Sequence, residues 1–164
     1  MPTLPIVDLD RADSRILEII QQEGRIANVD LAKRVALSPS PCLRRVNRLE
    51  ETGVISRYVA LLQPRTLGLG LMAYLEVMLD KRAEHARATF RQAVLDWPEV
   101  LTCYALSGQW DYQLKVITPD LETYSHFLME RVLALTVVVN VQSSFVLEQV
   151  KDSTALPLSH LGYS

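Results

Sequence analysis

The chain has 164 residues, 49% of them hydrophobic and 22% charged, with a formal net charge of −2. This is an ordinary globular composition, enough for one medium domain or two small ones. No apolar run approaches the ~20 residues needed to span a bilayer, and the acidic start MPTLPIVDLD lacks the apolar core of an export signal. Cys42 and Cys103 belong to no CxxC or Cys/His ligand spacing. Buried free thiols in a soluble, cytoplasmic protein are therefore expected. Charge is unevenly spread. Between residues 33 and 65 the cations Lys33, Arg34, Arg44, Arg45, Arg48, Arg57 and Arg65 meet only Glu50 and Glu51, whereas acids outnumber bases from Thr66 onward. A polyanion-binding module joined to a different kind of domain fits that split.

After a short Pro-containing lead, Asp10–Glu23 reads as a first helix, with Ala12, Ile16, Ile19 and Ile20 on one face. Arg11, Asp13, Arg15 and Glu18 fall outside, and Gly24 ends it. Asn28 suits the N-cap of a second short helix whose apolar stripe is Leu31, Ala32 and Val35. Ala36 and Leu37 leave a very tight connection to the stretch SPSPCLRRVNRLEETG. There Ser38 suits the N-cap, Pro39 the first helical position and Gly53 a left-handed stop. Leu43, Val46 and Leu49 give this third helix a stripe to bury. Arg44 and Arg48 lie one turn apart, where like charges mildly repel, so a polyanion facing them is a natural explanation. Helices two and three across a tight turn make a helix-turn-helix, and Val54–Leu61 reads as a strand that would add a wing.

Pro64, Gly68 and Gly70 mark a boundary, giving a DNA-binding domain at 1–62, a linker at 63–70 and a second domain at 71–164. In the second domain the predicted elements are a strand at Leu71–Leu79, a helix at Glu84–Trp97, strands at Val100–Leu106 and Tyr112–Ile117, a helix at Pro119–Val132 and a long strand at Val137–Val150. Inward positions are Ala86, Phe90, Val94 and Trp97 on one helix, and Leu121, Tyr124, Leu128 and Val132 on the other. The order βαββαβ is ferredoxin-like, so the fold class is α+β. Two helices cover one sheet face, and apolar residues on the other call for a second subunit.

The stretch from about Leu9 to Pro64, with GRIANVDLAKRVALSPSPCLRRVNRLEETGVISRYVALLQP, resembles the DNA-binding domain of the Lrp/AsnC (feast/famine) transcriptional regulators. The second half, with SGQWDYQLKV at Ser107–Val116 and SSFVLEQVK at Ser143–Lys151, resembles their amino-acid-sensing domain. The resemblance implies a regulator of double-stranded DNA whose recognition helix is Ser38–Thr52. It also implies dimers that associate further, commonly into octamers, and a small amino-acid effector held between dimers. One departure stands out: the family's Leu-Pro-Gly-Val turn is Leu135-Thr136-Val137-Val138 here, which obscures where the last strand starts.

With the third helix in the major groove, Ser40, Arg44, Asn47 and Arg48 are the candidates to reach bases or phosphates, since Arg suits guanine and Asn adenine. Ser38 and the helix N-terminus can hold a phosphate. Arg45 and Arg57 suit phosphate contacts or intramolecular pairing; the alternative for any single arginine is a surface charge or a bridge to Glu50 or Glu51. For the effector, Ser107, Gly108, Gln109, Trp110, Asp111 and Tyr112 form the candidate turn. Its N–H groups would take an α-carboxylate, Asp111 an ammonium and Trp110 the side chain. Gln142, Ser143 and Ser144, from a neighbouring subunit, would complete the polar ring. The alternative is that Asp111 braces the hairpin and Trp110 is interface core. Leucine or methionine suits Trp110 and the family. No cofactor, metal site or enzyme activity is expected, because His85, His126 and His160 have no companion ligands and Ser107–Gly108 lacks a nucleophile elbow. A different class of function remains open: an amino-acid-binding module of an enzyme or complex, with the helical domain as a protein docking surface.

Overall fold

Asp10 sits where the chain turns into its first helix, and its carboxylate accepts the Asp13 N–H while the Asp13 carboxylate accepts the Asp10 N–H. This capping box starts α1 (Arg11–Ile20). The computed structural model describes residues 7–161, so most of the Pro-containing lead lies outside the described residues. The chain divides into two units, Met1–Leu61 with Lys151–Ser164, and Leu62–Val150. Residues 151–161, expected with the second domain, thus group with the first among the described residues. The link is visible at Gln21, whose side chain donates to the Leu156 carbonyl at 3.0 Å and accepts its N–H at 2.9 Å.

In the first unit α1, α2 (Asn28–Arg34) and α3 (Pro39–Glu51) enclose Ile16, Leu31, Ala32, Val35, Cys42 and Leu49. Several local expectations change. α1 stops at Gln21 rather than Gly24. Ala27 holds the N-cap position of α2, and Asn28 is already helical. Ser38 does occupy the α3 N-cap, but its hydroxyl makes no cap bond. On α3 the buried stripe is Cys42, Val46 and Leu49, while Leu43 is 47% exposed. Spacings of four and three follow the 3.6-residue turn, whereas two successive threes drift off the face. Asp13, expected outside, is fully buried.

The tight turn is built without glycine. Ala36 takes φ +57°, the Leu37 N–H reaches the Ala32 carbonyl at 2.9 Å and the Ala36 N–H reaches Lys33 at 3.2 Å. That is a Schellman closure. A left-handed alanine costs roughly 1–2 kcal/mol, which the packing of α2 on α3 must offset. Gly53 at φ +73° ends α3 as expected. Beyond it no strand forms over 54–61. Val54 and Ile55 turn into the core, and Tyr58, Val59 and Leu61 are exposed. A strand needs a ladder partner, and in the single chain this segment has none among the described residues.

In the second unit β1 (Leu71–Leu79), α4 (Ala86–Leu95), β2 (Val100–Ala105), β3 (Tyr112–Thr118), α5 (Leu121–Phe127) and β4 (Val138–Phe145) follow the expected βαββαβ order. The sheet is antiparallel throughout, in the order β2-β3-β1-β4. Ala73, Leu75 and Val77 pack with Leu114, Val116, Phe90, Trp97, Tyr124 and Phe127 on the helix side. α5 passes into a π-turn at Leu128–Val132, which leaves Tyr124, Phe127 and Val132 inward and Leu121 exposed, contrary to its predicted place. β4 is shorter than predicted. It starts at Val138, and a register shift opposite Met78 and Leu79 leaves Val139 as a bulge. Among the described residues no helix is long and apolar enough to cross a membrane.

Candidate functional site

The candidate nucleic-acid interface is the outer face of α3. Ser38, Ser40, Arg44, Asn47 and Arg48 are all exposed there, and Arg57 is exposed beyond it. Arg44 and Asn47 are one turn apart, so both project from the same side. Arg44 makes no ion pair among the described residues, whereas Arg45 and Arg48 turn back to α1. The Arg45 Nη1 donates to Asp10 at 2.7 Å and to Asp13 at 2.8 Å. The Arg48 Nη2 donates to the other oxygen of Asp13. Bridges to Glu50 or Glu51 do not form; Glu50 instead accepts from the Tyr58 hydroxyl at 2.9 Å.

Electrostatics follow from those bonds. The Asp13 backbone N–H, and then the Arg45 guanidinium, hold the Asp10 carboxyl below its ordinary 3.8. Hydrogen bonds to Asp13 and Asp10 raise Arg45 further. Partial burial and the bond to Glu50 push the Tyr58 hydroxyl up to about 12. Asp10 and Asp13 were absent from the predicted interface, although the D-x-x-D spacing before an apolar run is a capping-box signal. Asn28 was likewise placed only as a cap. Its amide donates to the Pro39 carbonyl at 2.9 Å, tying the start of α2 to the start of α3, and its Oδ1 is buried without a partner.

The predicted effector residues are dispersed. Ser107, Gly108 and Gln109 form an exposed turn, with Gly108 at φ +133° and open space where a Cβ would stand. Trp110 is half-buried beside them. Asp111 is already engaged: its Oδ2 accepts the Leu79 N–H at 2.9 Å, its N–H donates to the Val77 carbonyl and its carbonyl accepts from Leu106. That is the hairpin-bracing alternative. Tyr112 is buried, with its ring 4.8 Å from that of Phe90.

The pleat of β4 separates the last three. Ser143 pairs opposite Leu75 on the helix-covered face, with its hydroxyl 2.6 Å from the Tyr124 hydroxyl. Gln142 and Ser144 point to the open face, opposite Glu76 and Tyr74. They lie on β4, two strand spacings or roughly 10 Å from β3 and its turn.

Comparison with known proteins extends this geometry. Residues 72–156 match the family model described as the Lrp/AsnC ligand binding domain, and residues 9–56 match the winged helix-turn-helix DNA-binding model. The leucine-responsive regulatory proteins of Klebsiella pneumoniae and Escherichia coli are each 43% identical over 152 residues, covering 93% of this chain and 93% of theirs. A transcriptional regulator from Neisseria meningitidis, solved as a complex with L-Met, superposes with a TM-score of 0.92 at 47% identity, over 94% of this chain and 99% of that one. An AsnC family transcriptional regulator from Agrobacterium tumefaciens gives a TM-score of 0.87 at 38% identity, over 93% and 99%. With both halves matched in the order found here, this chain belongs to the Lrp/AsnC family and is a DNA-binding transcriptional regulator with a ligand-binding domain.

Proposed function

We propose that Ser40, Arg44 and Asn47 read base edges in the major groove, with Ser38, Arg48 and Arg57 contacting phosphate. The observation that carries this is the exposed, unpaired Arg44 one turn from Asn47 on α3. Arg45, held by two carboxylates through one nitrogen, is assigned to fastening α3 onto α1. Arg44→Ala should weaken binding to a selected operator by ~1–3 kcal/mol with unchanged melting. Fluorescence anisotropy across a salt series measures it. An unchanged affinity would remove Arg44 from the reading face.

The effector is proposed to be a small amino acid, leucine or methionine first among candidates. The Neisseria regulator's complex with L-Met and the ligand-binding-domain match support the class. The exposed Ser107–Gln109 turn would take the α-carboxylate, and Gln142 and Ser144 of another copy would complete the site. The open sheet face, with Tyr74 and Tyr104 exposed, supports a homodimer, and further association to an octamer. Effector binding then biases which assembly is populated, which requires different affinities for the two states. A protein of this kind would act in the cytoplasm and not as an enzyme. A thermal-shift screen of the twenty amino acids, followed by sedimentation with the best stabiliser, is the test. A flat screen on DNA-binding-competent protein would sink the sensor assignment.

A further inference from the structure

The arginines of α3 differ in how much of their hydrogen-bonding capacity is already taken. Arg45 Nη1 is shared between Asp10 and Asp13, and its side chain is 31% exposed. Arg48 gives one nitrogen to Asp13, and 45% of its side chain remains exposed. A guanidinium carries five N–H donors in a rigid plane, so fixing one fixes the direction of the rest. Asp13 itself is fully buried, anchored by the Asp10 N–H through the capping box.

We propose that Asp13, on the first helix, is a positioning residue for DNA recognition: it orients the Arg48 guanidinium so that its remaining donors meet a backbone phosphate in one register. This rests on the DNA-reading face described under the proposed function. A long side chain that is free must be ordered when DNA arrives, whereas one already pinned is not. Ordering one such side chain accounts for about three- to tenfold in affinity. The anchored carboxylate also cancels part of the Arg48 charge, so binding to arbitrary DNA is restrained while the register-dependent contact is kept. Asp13 thereby acts on the ratio of specific to non-specific binding.

The test uses the full-length protein, an operator duplex enriched from a random pool by the wild type, and a scrambled duplex of equal composition. Asp13→Asn should lower affinity for the enriched duplex about three- to tenfold while affinity for the scrambled one holds or rises. The slope of log K against log salt should steepen by a fraction of the ~0.9 that a whole new phosphate contact would add, because Arg48 then meets its phosphate with its charge uncancelled. In an Arg48→Ala background the same change should leave the specificity ratio where it was. Should Asp13→Asn fail to fold, Arg48→Lys decides, since its ammonium can neutralise Asp13 but has no fork to divide with a phosphate; it should lower the ratio similarly. An equal loss on both duplexes with an unchanged slope, or a full ratio in Arg48→Lys, would overturn the positioning role alone. A wild type that enriches no sequence would instead overturn the DNA-reading face beneath it.

Discussion

The α3 surface and the β2–β3 turn differ in what folding leaves available. On α3 Ser40, Arg44 and Asn47 stay outside while Arg45 and Arg48 turn back to α1, because a helix satisfies its own backbone and leaves the outward side chains free to serve a partner. In the sheet unit the same residue types are drawn inward. Asp111 closes the end of β1 at Leu79, Ser143 bonds Tyr124, and Tyr112 packs in the core. A turn and a strand end leave backbone groups open, and nearby side chains such as Asp111 are recruited to close them. The lesson is that polar residues on a recognition helix are better candidates for ligands than polar residues beside a hairpin.

That contrast can be broken from either side. The largest effect is expected for Phe90→Ala, which empties the centre of the sheet unit beside Trp97 and Tyr112. A loss of ~3–5 kcal/mol is expected. Both tryptophans, Trp97 and Trp110, lie in that unit, so tryptophan fluorescence follows its unfolding while far-UV dichroism follows the helices as well. Next comes Arg45→Ala. It leaves buried Asp13 with one cationic partner, and a loss of about 2 kcal/mol is expected, less than for a fully enclosed pair because the guanidinium is 31% exposed. A helical melting curve that did not move would mean Arg45 is available to DNA after all.

Asp111→Ala is expected to cost ~1–2 kcal/mol by leaving the Leu79 N–H without its acceptor, while keeping any amino-acid-induced shift in melting. Retained melting with a lost ligand shift would return Asp111 to the effector site. The smallest effect is alkaline. The folded state keeps the Tyr58 proton up to about 12, against an ordinary 10.0, so between those values the unfolded chain has lost a proton that the folded one retains. Stability from the Tyr58–Glu50 bond is therefore full below pH 10 and declines as pH rises towards 12. Tyr58→Phe should flatten that decline in a melting series, and absorbance at 295 nm should lose a tyrosine that titrates near 12.

Much of the fold was legible because it rests on local periodicity and caps. Ser38-Pro39 at the start of α3, Gly53 at its end and the alternation through Leu71–Leu79 each follow from backbone constraints acting within a few residues. The helix expected from Pro119 likewise starts at Leu121, with Asp120 accepting the Thr123 N–H as its cap. The missing strand at 54–61 shows the limit. Val54–Leu61 has strand composition, but a strand is a pairwise object and composition does not supply the second member.

By itself the sequence determined the helix-turn-helix and the βαββαβ order, since these depend on 3.6- and 2-residue periods. It also determined that Arg44 and Asn47 share a face. Only the tertiary structure decided that Asp13 turns inward under Arg45 and Arg48, residues 32 and 35 positions away. The same holds for Asp111 bracing Leu79 from 32 positions away, and for the link between Gln21 and Leu156. The physical reason is common to all three. A polar group takes whichever partner the folded chain brings within hydrogen-bond distance, and in these cases that partner is remote in sequence.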